Sequence, residues 1–306
     1  MALEHVRDPA MIHIDREVCT ACGLCIAVCP VGIPYQVPGQ AEHVGVELHS
    51  DRLHLCIMCG HCMAICPPRS IHVEGVSYTE HLFDLPSGEL DDEGFFDLLA
   101  TRRSVRAFKD TPVPRETLQR IVDAISLAPM GFPPHKVEVT VVQEREVVER
   151  ALPLMVELYE NLERWVKNPF TRLVIRWRAG QEAFDTLCNH VLPSLELRLP
   201  DMKAGKGDTL TRGAPSMLLF HAHRKAESRT ADGWIALTYG LLAAHALGLG
   251  ATAISLAPPV IERSPELRRI FEIPPENEVL ASMVVGYPRC RFGRGIRRKV
   301  ANVSWI

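Results

Sequence analysis

Apolar positions recur at helical spacing from Arg115 to Leu127, where Leu118, Ile121, Val122 and Ile125 share one face, so an amphipathic helix is predicted there. A helix also begins at Phe95 and reaches Thr101. The runs Val137 to Val142, Met217 to His221 and Val279 to Val285 are short, apolar and of strand length. Between them, Glu144 to Trp177 and Ala183 to Leu199 carry helical patterns rich in charge. Pro153 and Pro169 are expected to interrupt these patterns. A further helix is expected near Pro265 to Phe271. Helices and strands mix without a regular strand–helix–strand rhythm, which points to an α+β domain built around one sheet.

Trp234 to Val260 contains no Asp, Glu, Lys or Arg, a stretch long enough to cross a bilayer. Gly248 and Gly250 divide it and Pro258-Pro259 close it. The first part, Trp234 to Leu247, therefore reads as a helix apolar nearly all round, buried in a core or against another subunit. Ala251 to Leu256 reads as a short buried strand. No membrane association is expected.

The first quarter of the chain carries different chemistry. Cys19, Cys22, Cys25 and Cys29 precede Pro30, and Cys56, Cys59, Cys62 and Cys66 precede Pro67. This is C-x2-C-x2-C-x3-C-P written twice, the run that holds a pair of [4Fe–4S] clusters, with the fourth cysteine of each run serving the other cluster. Three thiolates two residues apart wrap one face of a cubane, and the next helical turn carries the fourth away. The expected ligand sets are Cys19, Cys22, Cys25 and Cys66 for one cluster, and Cys56, Cys59, Cys62 and Cys29 for the other. Zinc prefers two pairs of ligands, and disulfides suit a small secreted domain; both readings fit the complete double motif less well. Ile12-His13-Ile14 and Ile71-His72-Val73 look like short strands flanking the cysteine loops. Cys188 and Cys290 lie outside the motifs and read as buried apolar fillers.

The 306 residues suffice for a small domain and a larger one. The expected division is a two-cluster domain at 1–80, a linker at 81–94 containing Pro86-Ser87-Gly88 and an acidic run, and a second domain at 95–306. A net charge of −3 supplies no field to recruit nucleic acid. Met1 to Asp15 lacks the apolar run of a signal peptide, and cluster thiolates call for a reducing compartment, so a cytoplasmic setting is expected.

Arg102-Arg103-Ser104-Val105-Arg106-Ala107-Phe108 is the second chemical signal. Three guanidiniums and a hydroxyl within five residues suit a dianionic phosphate; the alternative is a basic helix end that offsets its own dipole. The segment resembles the R-x-S-x-R-x-F stretch of the FMN-dependent nitroreductase family. Four further markers agree in order: Leu127-Ala128-Pro129, Gly213-Ala214-Pro215, the stretch from Leu242 to Gly250 ending in G-L-G, and Gly286-Tyr287-Pro288 followed by basic residues. With the cysteine motifs, the whole chain resembles a ferredoxin–nitroreductase fusion. The resemblance implies a small ferredoxin-like domain followed by a nitroreductase-like α+β sandwich.

Carried over by position, Arg102, Arg103, Ser104 and Arg106 would bind FMN, with Met130 and Gly131 offering backbone contacts. Ser255 and Leu256 would bring backbone N–H groups to the flavin N5. Arg294 would add a phosphate contact, with Arg297, Arg298 and Lys299 as competitors. The loop Met130-Gly131-Phe132-Pro133-Pro134-His135 departs from the polar residues common in the family. His135 is the one candidate for a proton donor there. The helical insertion around 150–200 is a second departure, expected to cap the site or to extend a subunit interface. The resemblance further implies a homodimer, a low-potential electron donor such as ferredoxin, and a small organic acceptor of the nitro, quinone, enone or halide class. Electron flow in the opposite direction and a carrier or sensor without a substrate remain the alternatives.

Overall fold

The computed structural model describes residues 12–37, 45–86, 88, 91–131, 137–298 and 300–306. Contacts divide the chain into two units, one running to residue 90 and the other covering 91–131 and 137–306.

The first unit runs β1 (Ile12–Ile14), α1 (Leu24–Val28), β2 (Pro34–Val37), β3 (Gly45–Leu48), a 3-10 turn at Ser50–Leu55, α2 (His61–Ala64) and β4 (Ile71–Val73). The two expected flanking strands pair antiparallel, with Ile12 opposite Val73 and Ile14 opposite Ile71. Their alternation buries Ile12, Ile71 and Val73 in a core shared with Ile33, Leu53 and Met63. His13 and His72 stack at 4.8 Å across the pair. The β2–β3 hairpin was not anticipated; its strands are four residues each and meet with Pro34 opposite Leu48.

The cysteine repeat is also a repeat of backbone shape. Each cysteine of the first run has its counterpart 37 positions later. At that offset, left-handed conformations match pairwise: Ala21 with Met58, Gly23 with Gly60, and Gly32 with Arg69. Ala21, Met58 and Arg69 adopt φ values of 51–56° despite their side chains, a strain that persists where surrounding structure enforces it. Left-handed residues interleaved with right-handed ones turn successive amides toward one point, a geometry that favours an anionic guest.

The second unit runs α3 (Asp92–Thr101), α4 (Arg115–Ser126), β5 (Glu138–Val142), α5 (Arg145–Lys167), α6 (Pro169–Ala179), α7 (Gln181–Thr186), a π-helical turn at Leu187–Val191, α8 (Leu192–Glu196) and α9 (Leu199–Lys203). It continues with β6 (Ser216–His223), α10 (Arg229–Ala246), β7 (Gly250–Ala253), α11 (Ala257–Arg263), α12 (Pro265–Ile270) and β8 (Asn277–Gly286). Its sheet has the order β5-β6-β8-β7, each neighbouring pair antiparallel. Met217 and Leu219 face a core with Val148, Met155 and Ile261, whereas Leu218 and Phe220 face one with Ile121, Ile125 and Leu237. Both faces are covered by helices, which is why β6 and β8 read as continuous apolar runs. This is the expected α+β sandwich.

Several local expectations needed correction. Pro153 does not break α5, which continues through it from Arg145 to Lys167. The expected interruption at Pro169 does occur: α5 ends at Lys167, and Pro169 opens α6 at a first-turn position, where its missing N–H is not needed. β7 ends at Ala253, and Ser255 and Leu256 form a bend ahead of α11. Pro258 and Pro259 sit in the first turn of that helix rather than closing a segment. Cys290 is exposed. No helix among the described residues is long and apolar enough to cross a membrane.

Candidate functional site

The first unit contains two cavities, each lined by four cysteines drawn from both runs. Cys19, Cys22, Cys25 and Cys66 border one, and Cys29, Cys56, Cys59 and Cys62 border the other. The short helices α1 and α2 place Cys25 and Cys62, and each fourth cysteine leaves its own loop for the opposite cavity. Among the described residues, no three His, Cys, Asp or Glu side chains gather around a point suited to a single metal ion. No disulfide joins the cysteines. The donor set therefore suits a polynuclear guest.

The electrostatics agree. Burial first, then the neighbouring Cys59, Cys56 and Cys29, push the Cys62 thiol up to about 12. Burial, followed by Cys66 and Cys19, also pushes the Cys25 thiol up. Thiols crowded into a low-dielectric cavity resist ionising until a cation shares their charge. Amides already point at sulfur: Ile33 N–H donates to Cys29 Sγ at 3.4 Å, Met58 N–H to Cys56 Sγ at 3.4 Å, and Ser70 N–H to Cys66 Sγ at 3.3 Å.

In the second unit the segment after α3 lies along the edge of the sheet. Ser104 bridges Ala251 in a parallel sense, and Val105 N–H donates to the Ala251 carbonyl at 3.1 Å. Gly250 permits this approach, since a Cβ there would fall 2.7 Å from Val105 Cγ1. Further along, Phe108 bridges Pro288, and Arg289 N–H donates to Ala107 O at 2.9 Å. The backbone of 104–108 is thus fixed at both ends, just after the guanidiniums of Arg102 and Arg103.

Those guanidiniums lack compensation. Burial, then the charge of Arg103, lowers the pKa of Arg102. Arg103 Nε is buried without a hydrogen-bond partner, its guanidinium lying over the Phe292 ring at 5.9 Å. The next residue in this pattern, Arg212, was missed in the sequence. Its Nε is likewise buried and unpartnered, and burial, then Arg106 and Arg198, lower its pKa while Asp208 opposes them. Arg212 stands in a left-handed conformation (φ 63°). Asp208 braces the turn, accepting from Thr211 N–H at 2.8 Å, from Gly213 N–H at 3.2 Å and from Arg145 Nη2 at 2.9 Å. Its one visible signal was position, directly ahead of Gly213-Ala214-Pro215. Buried cationic N–H groups without acceptors are costly.

The remaining candidates are distributed as follows. Gly131 N–H donates to both carboxylate oxygens of buried Asp232 at 3.0 Å, which ties Met130 and Gly131 to the first turn of α10. Ser255 is exposed, and the Leu256 carbonyl accepts from Tyr159 O–H at 2.6 Å, so α5 pins the bend after β7. Arg294 lies on an exposed C-terminal tail. That tail passes α3, where a Cβ on Gly295 would come within 3.3 Å of the Ala100 carbonyl oxygen. Arg297 and Arg298 are exposed on the same tail. His135 and Lys299 fall outside the described residues.

Comparison with known proteins agrees with this division. The profile of the 4Fe-4S dicluster domain matches residues 11–67, and that of the nitroreductase family matches residues 99–287. An FMN reductase [NAD(P)H] of Bacillus subtilis (strain 168) is 27% identical over 197 residues, 64% of this chain and 66% of that protein. Among solved structures, a nitroreductase with bound FMN from Bacteroides fragilis NCTC 9343 covers 71% of this chain and all of its own, with a TM-score of 0.52 and 17% identity. One from Desulfitobacterium hafniense DCB-2, also with bound FMN, gives a TM-score of 0.49 at 16% identity, covering 71% of this chain and all of its own. The chain therefore belongs to the nitroreductase family, as an FMN-dependent oxidoreductase whose N-terminal unit is a 4Fe-4S dicluster domain.

Proposed function

We propose that the protein carries electrons from a low-potential donor such as ferredoxin, through two [4Fe–4S] clusters and FMN, to a small organic acceptor. When bound, the clusters exchange single electrons and FMN delivers them in pairs to nitro, quinone, enone or carbon–halogen groups. The carrying observation is that Arg103 Nε and Arg212 Nε are each buried without a hydrogen-bond acceptor, in a chain whose other unit holds two four-cysteine cavities.

In this reading the chain's own residues work by holding and orienting. Cys19, Cys22, Cys25 and Cys66 ligate one cluster, and Cys56, Cys59, Cys62 and Cys29 the other. Arg102, Arg103, Ser104 and Arg106 would hold the flavin phosphate and ribityl chain, and Arg294 would add a further phosphate contact. Arg106 and Arg212, backed by Arg198, gather positive charge that favours a more negative flavin. Tyr159, through its bond to the Leu256 carbonyl, fixes the bend that presents the Ser255 and Leu256 backbone. Asp232 holds the Gly131 amide and with it the Met130 and Gly131 backbone that would contact the flavin.

A homodimer fits the surface of α10. Its inner side is buried, while Trp234, Ile235 and Tyr239 on the outer side are 43%, 37% and 37% exposed. Such an apolar face resembles one half of a divided core. A second reading draws on the Bacillus subtilis relative, whose printed name makes NAD(P)H its reductant. In that reading hydride enters from a nucleotide or metabolite and electrons leave through the clusters. The deciding experiment is anaerobic reduction with NADH, NADPH and reduced ferredoxin, followed by flavin absorbance. Fast bleaching by ferredoxin alone supports the first reading, and fast bleaching by a nucleotide supports the second. Reduction with no turnover of any acceptor would leave a carrier or sensor.

A further inference from the structure

Among the positions at which the two halves of the cysteine repeat differ, two exchange a hydroxyl for an isoleucine on the cavity walls. Thr20 and Ser70 line the cavity of Cys19, Cys22, Cys25 and Cys66. Their counterparts at the 37-residue offset, Ile57 and Ile33, line the other cavity. We propose that the hydroxyl-lined cavity holds the higher-potential cluster and the isoleucine-lined cavity the lower, so that the pair is graded. This rests on the ligand sets proposed above and deepens that reading.

Ser70 Oγ lies 3.2 Å from Cys66 Sγ. A thiolate on iron has no proton to give, so the serine O–H is the donor. The same sulfur also accepts the Ser70 amide at 3.3 Å, whereas the equivalent Cys29 Sγ accepts the Ile33 amide at 3.4 Å and faces a hydrocarbon side chain. Thr20 lies between Cys19 and Cys22 and places a second hydroxyl side chain on the wall of the same cavity. The isoleucine-lined side has a backbone contact of its own, Met58 N–H to Cys56 Sγ. Amide donors therefore serve both cavities, and Ser70 adds a hydroxyl to a sulfur of one.

An added electron increases negative charge on the cluster and its sulfurs. Hydrogen bonds to the sulfurs stabilise that charge and raise the potential, while apolar burial lowers it. Both effects act in the same direction here. Each hydroxyl is expected to shift the one-electron equilibrium about tenfold, which is ~59 mV for a single electron.

The test is potentiometric titration of the anaerobically reconstituted full chain, with the reduced clusters followed by electron paramagnetic resonance. Repulsion between two reduced clusters also separates their waves, so the variants carry the test. Ser70→Ala and Thr20→Val should each lower the higher wave about tenfold and leave the lower one in place. Ile33→Ser and Ile57→Thr should raise the lower wave by a similar factor. The second pair keeps the test decisive if the first pair loses its cluster. Shifts under about twofold in every variant that retains about eight iron atoms per chain would overturn the tuning and leave the ligand sets standing. Movement of the lower wave on removal of the hydroxyls would overturn the ordering. Loss of the same wave in Cys66→Ser and Cys56→Ser would overturn the ligand sets themselves.

Discussion

Replacing Arg103 by Met should weaken FMN binding while making the flavin-free protein more stable. In the structure, Arg103 Nε is buried without an acceptor and its charge presses on Arg102. Leaving a buried donor unpaired costs about 1–3 kcal/mol. Methionine removes that donor and the charge but keeps an unbranched apolar stem. Against this gain stands the loss of the stack on Phe292, worth about 0.5–1 kcal/mol at an exposed ring. The balance is about 1 kcal/mol in favour of the variant, a rise in midpoint of about 2–4 °C for a domain of this size. Binding should move the other way. A hydrogen bond to a charged group contributes about 1.5–3 kcal/mol, so the dissociation constant for FMN should rise about ten- to hundredfold. Calorimetry of flavin-free protein and quenching of flavin fluorescence measure the two quantities separately. A lower midpoint with unchanged FMN affinity would show that Arg103 stabilises the fold and does not hold the phosphate.

Four other outcomes follow from the same geometry. Protein purified without oxygen should hold about eight iron atoms per chain; Cys19→Ser and Cys56→Ser should each damage a different cluster, and stoichiometric zinc would contradict the assignment. Trp234→Glu on the outer side of α10 should convert a dimer to monomer in sedimentation and lower flavin occupancy; a flavin-loaded wild-type monomer would refute the interface. A chain beginning at Asp91, loaded with FMN, should be reduced slowly by ferredoxin yet turn over acceptor normally once chemically reduced; equal ferredoxin-driven rates would assign the clusters to structure or sensing. His221 should make the second unit acid-sensitive. Burial lowers its pKa below 6.5, and Asn277 Nδ2, which also donates to Glu138, approaches its Nδ1 at 2.8 Å. The unfolded state then binds the proton more readily, so stability is complete above about pH 6.5 and lost below it. The slope of melting temperature against pH between 5 and 7 should flatten in His221→Gln.

What could be read in advance was whatever short-range spacing dictates. The cysteine runs specify their own loops because the ligands are local, and the crossover of Cys29 and Cys66 follows from a single helical turn. α4 was legible because Leu118, Ile121 and Ile125 must share a face to be buried. The R-x-S-x-R segment was legible as chemistry, though nothing in it reveals that Gly250 lets it press against β7. Errors arose where tertiary contacts override a local preference. Pro153 lies in a 23-residue helix whose Val148, Ala151, Met155 and Tyr159 are buried, and that packing outweighs the lost backbone bond. β7 stops at Ala253, and the bend after it is held by Tyr159, on a helix almost a hundred residues earlier, through the Leu256 carbonyl. Arg212 was invisible for the same reason. A lone arginine has no period and no motif, and it becomes a site only when Asp208 fixes its turn and Arg106 arrives from a segment a hundred residues away. Spacing along the chain can announce ligands held by one loop; a site assembled from several elements appears only when burial leaves its charges without partners.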